Sequence, residues 1–126
     1  MIEFALVAPL LILVLFGILA HGLYFAVIHS VQQVTAEAAR ASVAGITPAE
    51  RQQIATNTIN ATVGAYPLLR RDRLTLSVVP AAGDPSLYDI RVTYDARHLG
   101  IWSMAGIVPL PSSTIQRTST VRRGGL

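Results

Sequence analysis

Phe4–Ile28 reads FALVAPLLILVLFGILAHGLYFAVI, twenty-five consecutive residues without Asp, Glu, Lys or Arg, with one carboxylate, Glu3, just ahead of them. A helix of that length, rising about 1.5 Å per residue, extends roughly 37 Å and exceeds a bilayer hydrocarbon core of about 30 Å. The segment must therefore leave water, either in lipid or inside an assembly. It lacks the basic n-region of a secretory signal peptide, and its apolar run outlasts the usual h-region of about 7–15 residues. The first basic residue after it is Arg40, and none precedes it. The Lys/Arg asymmetry that orients a single span is thus missing from the chain as written. The expectation is that a basic leader stood before Met1 and has been removed; an ordinary membrane anchor is the plain alternative.

Beyond Ile28 the apolar run narrows to a stripe. Val27, Val31, Val34, Ala38 and Ala41 recur at spacings of four and three, while Gln32, Gln33, Glu37 and Arg40 take the other side, the pattern of one buried helix face. Glu37 and Arg40, three apart, are placed to pair on the wet face. Pro9 removes one N–H early in the helix and is expected to break or kink a turn, and Gly17 and Gly22 allow neighbouring backbones to approach. With the stripe, these three are the expected helix-packing positions. Gly45 supplies a stop, which predicts one helix of about 40 residues, roughly 60 Å long, and a first unit spanning 1–45.

The remainder, 46–126, reads as a small α+β domain. Thr47-Pro48-Ala49-Glu50 combines an N-cap, a first-turn proline and a capping-box glutamate. It opens a second helix from about Pro48 to Val63 that buries Ile54, Ala55, Ile59 and Val63. Leu74, Leu76 and Val78 alternate with polar neighbours. After the turn residues Gly83-Asp84-Pro85-Ser86 so do Tyr88, Ile90, Val92 and Tyr94, which predicts a hairpin. The polar, β-branched run 112–122 suggests a third, edge strand. The fold class is α+β: a long N-terminal apolar helix, a second helix and a three-stranded antiparallel sheet. The connection 98–111 is unusually apolar for a loop. It either covers the open face of the sheet or offers a contact patch to a partner or membrane through Ile101, Trp102, Met104 and Ile107.

Composition narrows the function. In 126 residues there is no cysteine, so thiol chemistry and disulfides are excluded. The net charge of +3 comes from ten basic residues, all Arg and scattered, unlike the concentrated basic face of a nucleic-acid binder. Three histidines, His21, His29 and His98, offer no i, i+4 pair. No cluster has metal-ligand spacing, no Gly-rich phosphate loop is present, and no nucleophile sits in a recognisable constellation. No catalytic, cofactor-binding or metal site is expected.

Glu3 has the most unusual physics in the chain, because a carboxylate at the edge of an apolar helix is costly to bury without a cation. Two readings stand: it pairs with the α-amino group of Met1 on a neighbouring subunit, or it rests in the headgroup zone. Glu3-Phe4-Ala5-Leu6-Val7-Ala8-Pro9-Leu10-Leu11, followed by Leu15-Phe16-Gly17, resembles the N-terminal signature of the TadE-like pseudopilins of tight-adherence (Tad) pilus systems. Val31-Gln32-Gln33 and Ala36–Ala41 are similar to that family's helix extension.

The resemblance implies a subunit, pilin or minor pseudopilin, made with a basic leader that a prepilin peptidase removes. It implies residence in the bacterial inner membrane and then assembly, by a pilus machinery, into an extracellular filament of like or different pilins. There the family's glutamate, carried onto Glu3, neutralises the terminal amine of the adjacent subunit. In pilins of this class that glutamate usually stands fifth in the mature chain, and here it is third. The competing reading is a single-pass anchored domain that binds a protein through 98–111.

Overall fold

The computed structural model describes residues 2–81, 83–104, 106, 107 and 109–122, the side chain of Met104 excepted. Helix α1 runs from Ile2 to Ser42, about 61 Å at 1.5 Å per residue, and passes through Pro9 without interruption. Helix α2 spans Pro48–Thr62. Strands β1 (Leu74–Pro80), β2 (Leu87–Asp95) and β3 (Thr114–Arg122) form one antiparallel sheet in the order β1-β2-β3. The fold is α+β, as the patterning predicts: a long apolar helix, a second helix and three antiparallel strands.

The register aligns the apolar face. Leu74, Tyr94 and Ile115 stand in one cross-strand row, Leu76, Val92 and Arg117 in the next, and Val78, Ile90 and Ser119 in the third. Side chains paired across strands share a face, and in central β2 the inward set Tyr88, Ile90, Val92 and Tyr94 is buried. The opposite face is polar; there Thr120 donates to Asp89 across the β2–β3 pair at 2.7 Å. Both helices pack on the inward face. From α1 come Ala20, Tyr24, Val27, Val31, Val34 and Ala38, and from α2 Ala55 and Ile59. The second half of α1 is thus part of the core of the domain that follows it.

Local chemistry fixes the connections. The hydroxyl of Thr47 caps α2 by accepting from Glu50 N at 3.1 Å. The carboxylate of Glu50 reaches back to Ile46 N at 2.8 Å, one residue earlier than in the usual capping box. Gly45 does not adopt the left-handed conformation of a helix-terminating glycine; among the described residues Gly83, in the β1–β2 turn, is the one with positive φ. Gly45 is needed for closeness: a Cβ there would lie 2.8 Å from Cγ and from the backbone N of Arg51. Asp84 completes that β-turn by accepting from the N–H and hydroxyl of Ser86 at 2.8 and 2.6 Å. These bonds hold its carboxyl below its ordinary range. On the outer edge of β1, Gln52 of α2 donates to Leu76 O at 3.4 Å and accepts from Val78 N at 3.1 Å, so a side chain satisfies an edge that would otherwise be open.

Candidate functional site: the free half of helix α1

Helix α1 divides near residue 20. C-terminal to that point a stripe at spacings of four and three (Ala20, Tyr24, Val27, Val31, Val34, Ala38) is buried against the sheet and α2. N-terminal to it no contact with the domain shields the helix: Ile2, Phe4, Leu6, Leu10 and Leu19 are each more than 60% exposed. Apart from Ile46 and Ile107, the strongly exposed large hydrophobics among the described residues all lie on α1 between Ile2 and Phe25. Burying one such side chain is worth about 1.5–3 kcal/mol, so a dozen amount to roughly 20–35 kcal/mol. That exceeds the whole stability of an ordinary domain, about 5–15 kcal/mol. A helix so exposed does not persist in water.

The free part, Ile2–Leu19, is eighteen residues, about 27 Å long. It is shorter than the Phe4–Ile28 run because the domain occupies one face of the helix from Ala20 onward. The length still matches a hydrocarbon core of about 30 Å, and the helix meets the length and composition of a membrane span, with none of its most apolar window buried.

The expected packing positions fall into two groups. Pro9 and Gly22 are exposed and Gly17 half-buried, all on or next to the free part, and no atom lies within 4 Å of where a Cβ on Gly22 would stand. Val27, Val31, Val34 and Ala38 are fully buried within the same chain, and Ala41 is half-buried at the margin. Glu3 is exposed in the first turn; Met1 lies outside the described residues. Glu37 does not join Arg40 in an ion pair but accepts from the hydroxyl of Tyr66 at 3.0 Å. Burial, followed by that carboxylate, raises the pKa of the Tyr66 phenol.

Within the apolar connection 98–111, Leu99, Ile101, Trp102 and Leu110 pack into or against the core. Gly100–Met104 forms a short 3₁₀ turn that inserts Ile101 into the core and leaves Trp102 half-buried. The indole N–H donates to Ala96 O at 2.6 Å, and the ring meets that of Tyr24 edge-on, with centroids 6.1 Å apart. Ile107 is 71% exposed. The side chain of Met104 lies outside the described residues.

Three polar arrangements are not apparent from sequence patterning. Ser42 donates to Ala39 O at 2.7 Å, so the proton in its 2.8 Å contact with Tyr88 comes from the tyrosine; this bond pins the end of α1 to β2. Arg51 is buried, with Nη1 donating to Ile46 O at 3.0 Å and its guanidinium 4.6 Å above the ring of Tyr88, a cation–π contact. The spacing Arg51, Ala55, Ile59, Val63 is the signal for its placement on the apolar face. Tyr94 accepts from Arg70 N at 2.9 Å and shares a 2.6 Å hydrogen bond with His98 Nε2. Burial, reinforced by Arg73 and Arg70, lowers the pKa of His98. Among the described residues no group of three potential metal ligands comes together.

An α+β domain carried on a half-exposed apolar helix is therefore the class of protein that the fold and the site define. Residues 1–40 match the family model described as TadE-like protein, the stretch on which the resemblance to Tad pilus subunits rests. The match covers the opening of the chain alone and stops two residues short of the end of α1. No curated protein and no solved structure gives a match.

Proposed function

We propose that the chain is a structural subunit, pilin or minor pseudopilin, of a bacterial Tad pilus. The free half of α1 holds it in the inner membrane and later packs against other pilins in an extracellular filament. The observation that carries this reading is the 27 Å or so of exposed apolar helix projecting from a domain whose own core is complete without it. Lipid and a bundle of like helices are the two surroundings that cover such a rod on all sides. Passing from one to the other gains little hydrophobic energy, because lipid tails are as apolar as leucine. Close packing through small residues such as Gly17 and an external assembly machinery must therefore supply the drive, with a prepilin peptidase acting beforehand.

Glu3 gives the transfer its specificity. Its exposed carboxylate is available to the terminal amine of an adjacent subunit, and the pair becomes favourable as both enter an apolar surrounding. The subunit works by assembly rather than catalysis.

Fractionation of producing cells tests the reading. The chain is expected in the inner membrane and in filaments sheared from the surface, with Glu3→Arg leaving the membrane pool and emptying the filament pool. Recovery of the wild-type chain from membranes alone, in cells that shed filaments, contradicts the reading and favours an anchored domain.

A further inference from the structure

Three aromatic side chains meet just beyond the free part of helix α1. Tyr24 contacts Phe25 on one side, with centroids 6.2 Å apart, and Trp102 on the other at 6.1 Å, both edge-on. Phe25 is 64% exposed and Trp102 half-buried. Tyr24 lies five residues beyond Leu19, about 7.5 Å further along the axis. A bilayer of about 40–45 Å with a core of about 30 Å leaves roughly 5–8 Å of headgroup region on each side. When Ile2–Leu19 fills the hydrocarbon, this cluster falls in that region, where Trp and Tyr are enriched because their rings are apolar at one end and polar at the other.

We propose that Phe25 and Trp102, bridged by the buried ring of Tyr24, form a lipid-contacting collar that seats the domain on the headgroup layer of the bilayer. This rests on the reading of α1 as membrane-inserted and goes beyond it, since a span alone leaves the domain free to stand off the surface. The collar joins two elements distant in sequence, α1 and the 98–104 turn, and Trp102 is tied to the domain by its bond to Ala96 O. Seating the ring therefore fixes the tilt of the whole domain relative to the bilayer. It also gives the apolar stretch around Trp102 a purpose beyond closing the core: Ile107, five residues on, is exposed and belongs to the same short connection.

Trp102 is the only tryptophan in the chain, so the emission of the unmodified protein reports on this site alone. The full chain is reconstituted into phosphatidylcholine vesicles brominated either high on the acyl chain or near its end, and flotation is scored on the same samples. The expected result is co-flotation, a blue-shifted Trp102 emission, and quenching that is strong with the shallow bromines and weaker with the deep ones. Co-flotation with Trp102 unquenched by either lipid, and quenched by aqueous iodide, overturns the collar while leaving the inserted helix intact. Failure to float overturns both.

Discussion

His98 and Tyr94 form a pH-sensitive contact in the domain. The folded state lowers the pKa of His98 from its ordinary 6.5, so the unfolded chain binds a proton more readily. Stability from this site is complete above about pH 6.5 and declines as the pH falls through that value toward the folded pKa. Urea denaturation across pH 5–8 should show the decline, and His98→Gln should flatten it. Asp95, held well below the carboxylate range by hydrogen bonds from Arg97, acts the same way in strongly acidic solution: its contribution is present above the unfolded pKa and lost below it. Tyr94→Phe removes the acceptor for Arg70 N and is expected to cost about 1–3 kcal/mol, read from the urea midpoint. Gly45→Ala forces a Cβ against the backbone and side chain of Arg51 and should cost about 1–3 kcal/mol through overcrowding. The Tyr94–Arg70 contact is not legible from patterning because it depends on distant segments meeting, and the others join near neighbours whose meeting the local backbone path decides. Gly45 does mark the end of α1, but steric room for Arg51 replaces the left-handed turn that its position suggests.

Helix α1 has a free half and a packed half in series, and the division is only half legible in the sequence. The spacing of Val27, Val31, Val34 and Ala38 announces a packed face, yet small apolar residues suit a neighbouring subunit as well as a neighbouring sheet. The core shared with the sheet and α2 claims all four. The alternation in β1 and β2, the turn at Gly83–Ser86 and the cap at Thr47 are strong signals because each is local chemistry, and those elements form where patterning places them. A fragment covering 19–126 keeps the whole core stripe and is expected to be folded, monomeric and soluble, with dispersed amide resonances. A fragment covering 46–126 loses the buried residues of α1, whose removal from a core costs about 2–5 kcal/mol for each larger side chain, and should fail to fold. A folded 46–126 fragment would show that α1 is merely an appendage.

The whole molecule is a compact domain with an apolar rod that its own core leaves uncovered. The family match covers that rod and the stripe behind it, residues 1–40, while the sheet and α2 lie outside it. The division of α1 makes a sharp claim about an assembled filament: neighbouring subunits meet through the free half and leave the buried stripe untouched. The chain has no cysteine, so single replacements read one position each. Leu11 is 56% exposed on the free half, and Val31 is fully buried in the core. In oxidised sheared filaments, Leu11→Cys is expected to give disulfide-linked dimers, and Val31→Cys none. Dimers through Val31→Cys, with none through Leu11→Cys, would contradict the account, because the helix would then meet its neighbours through the face assigned here to its own domain.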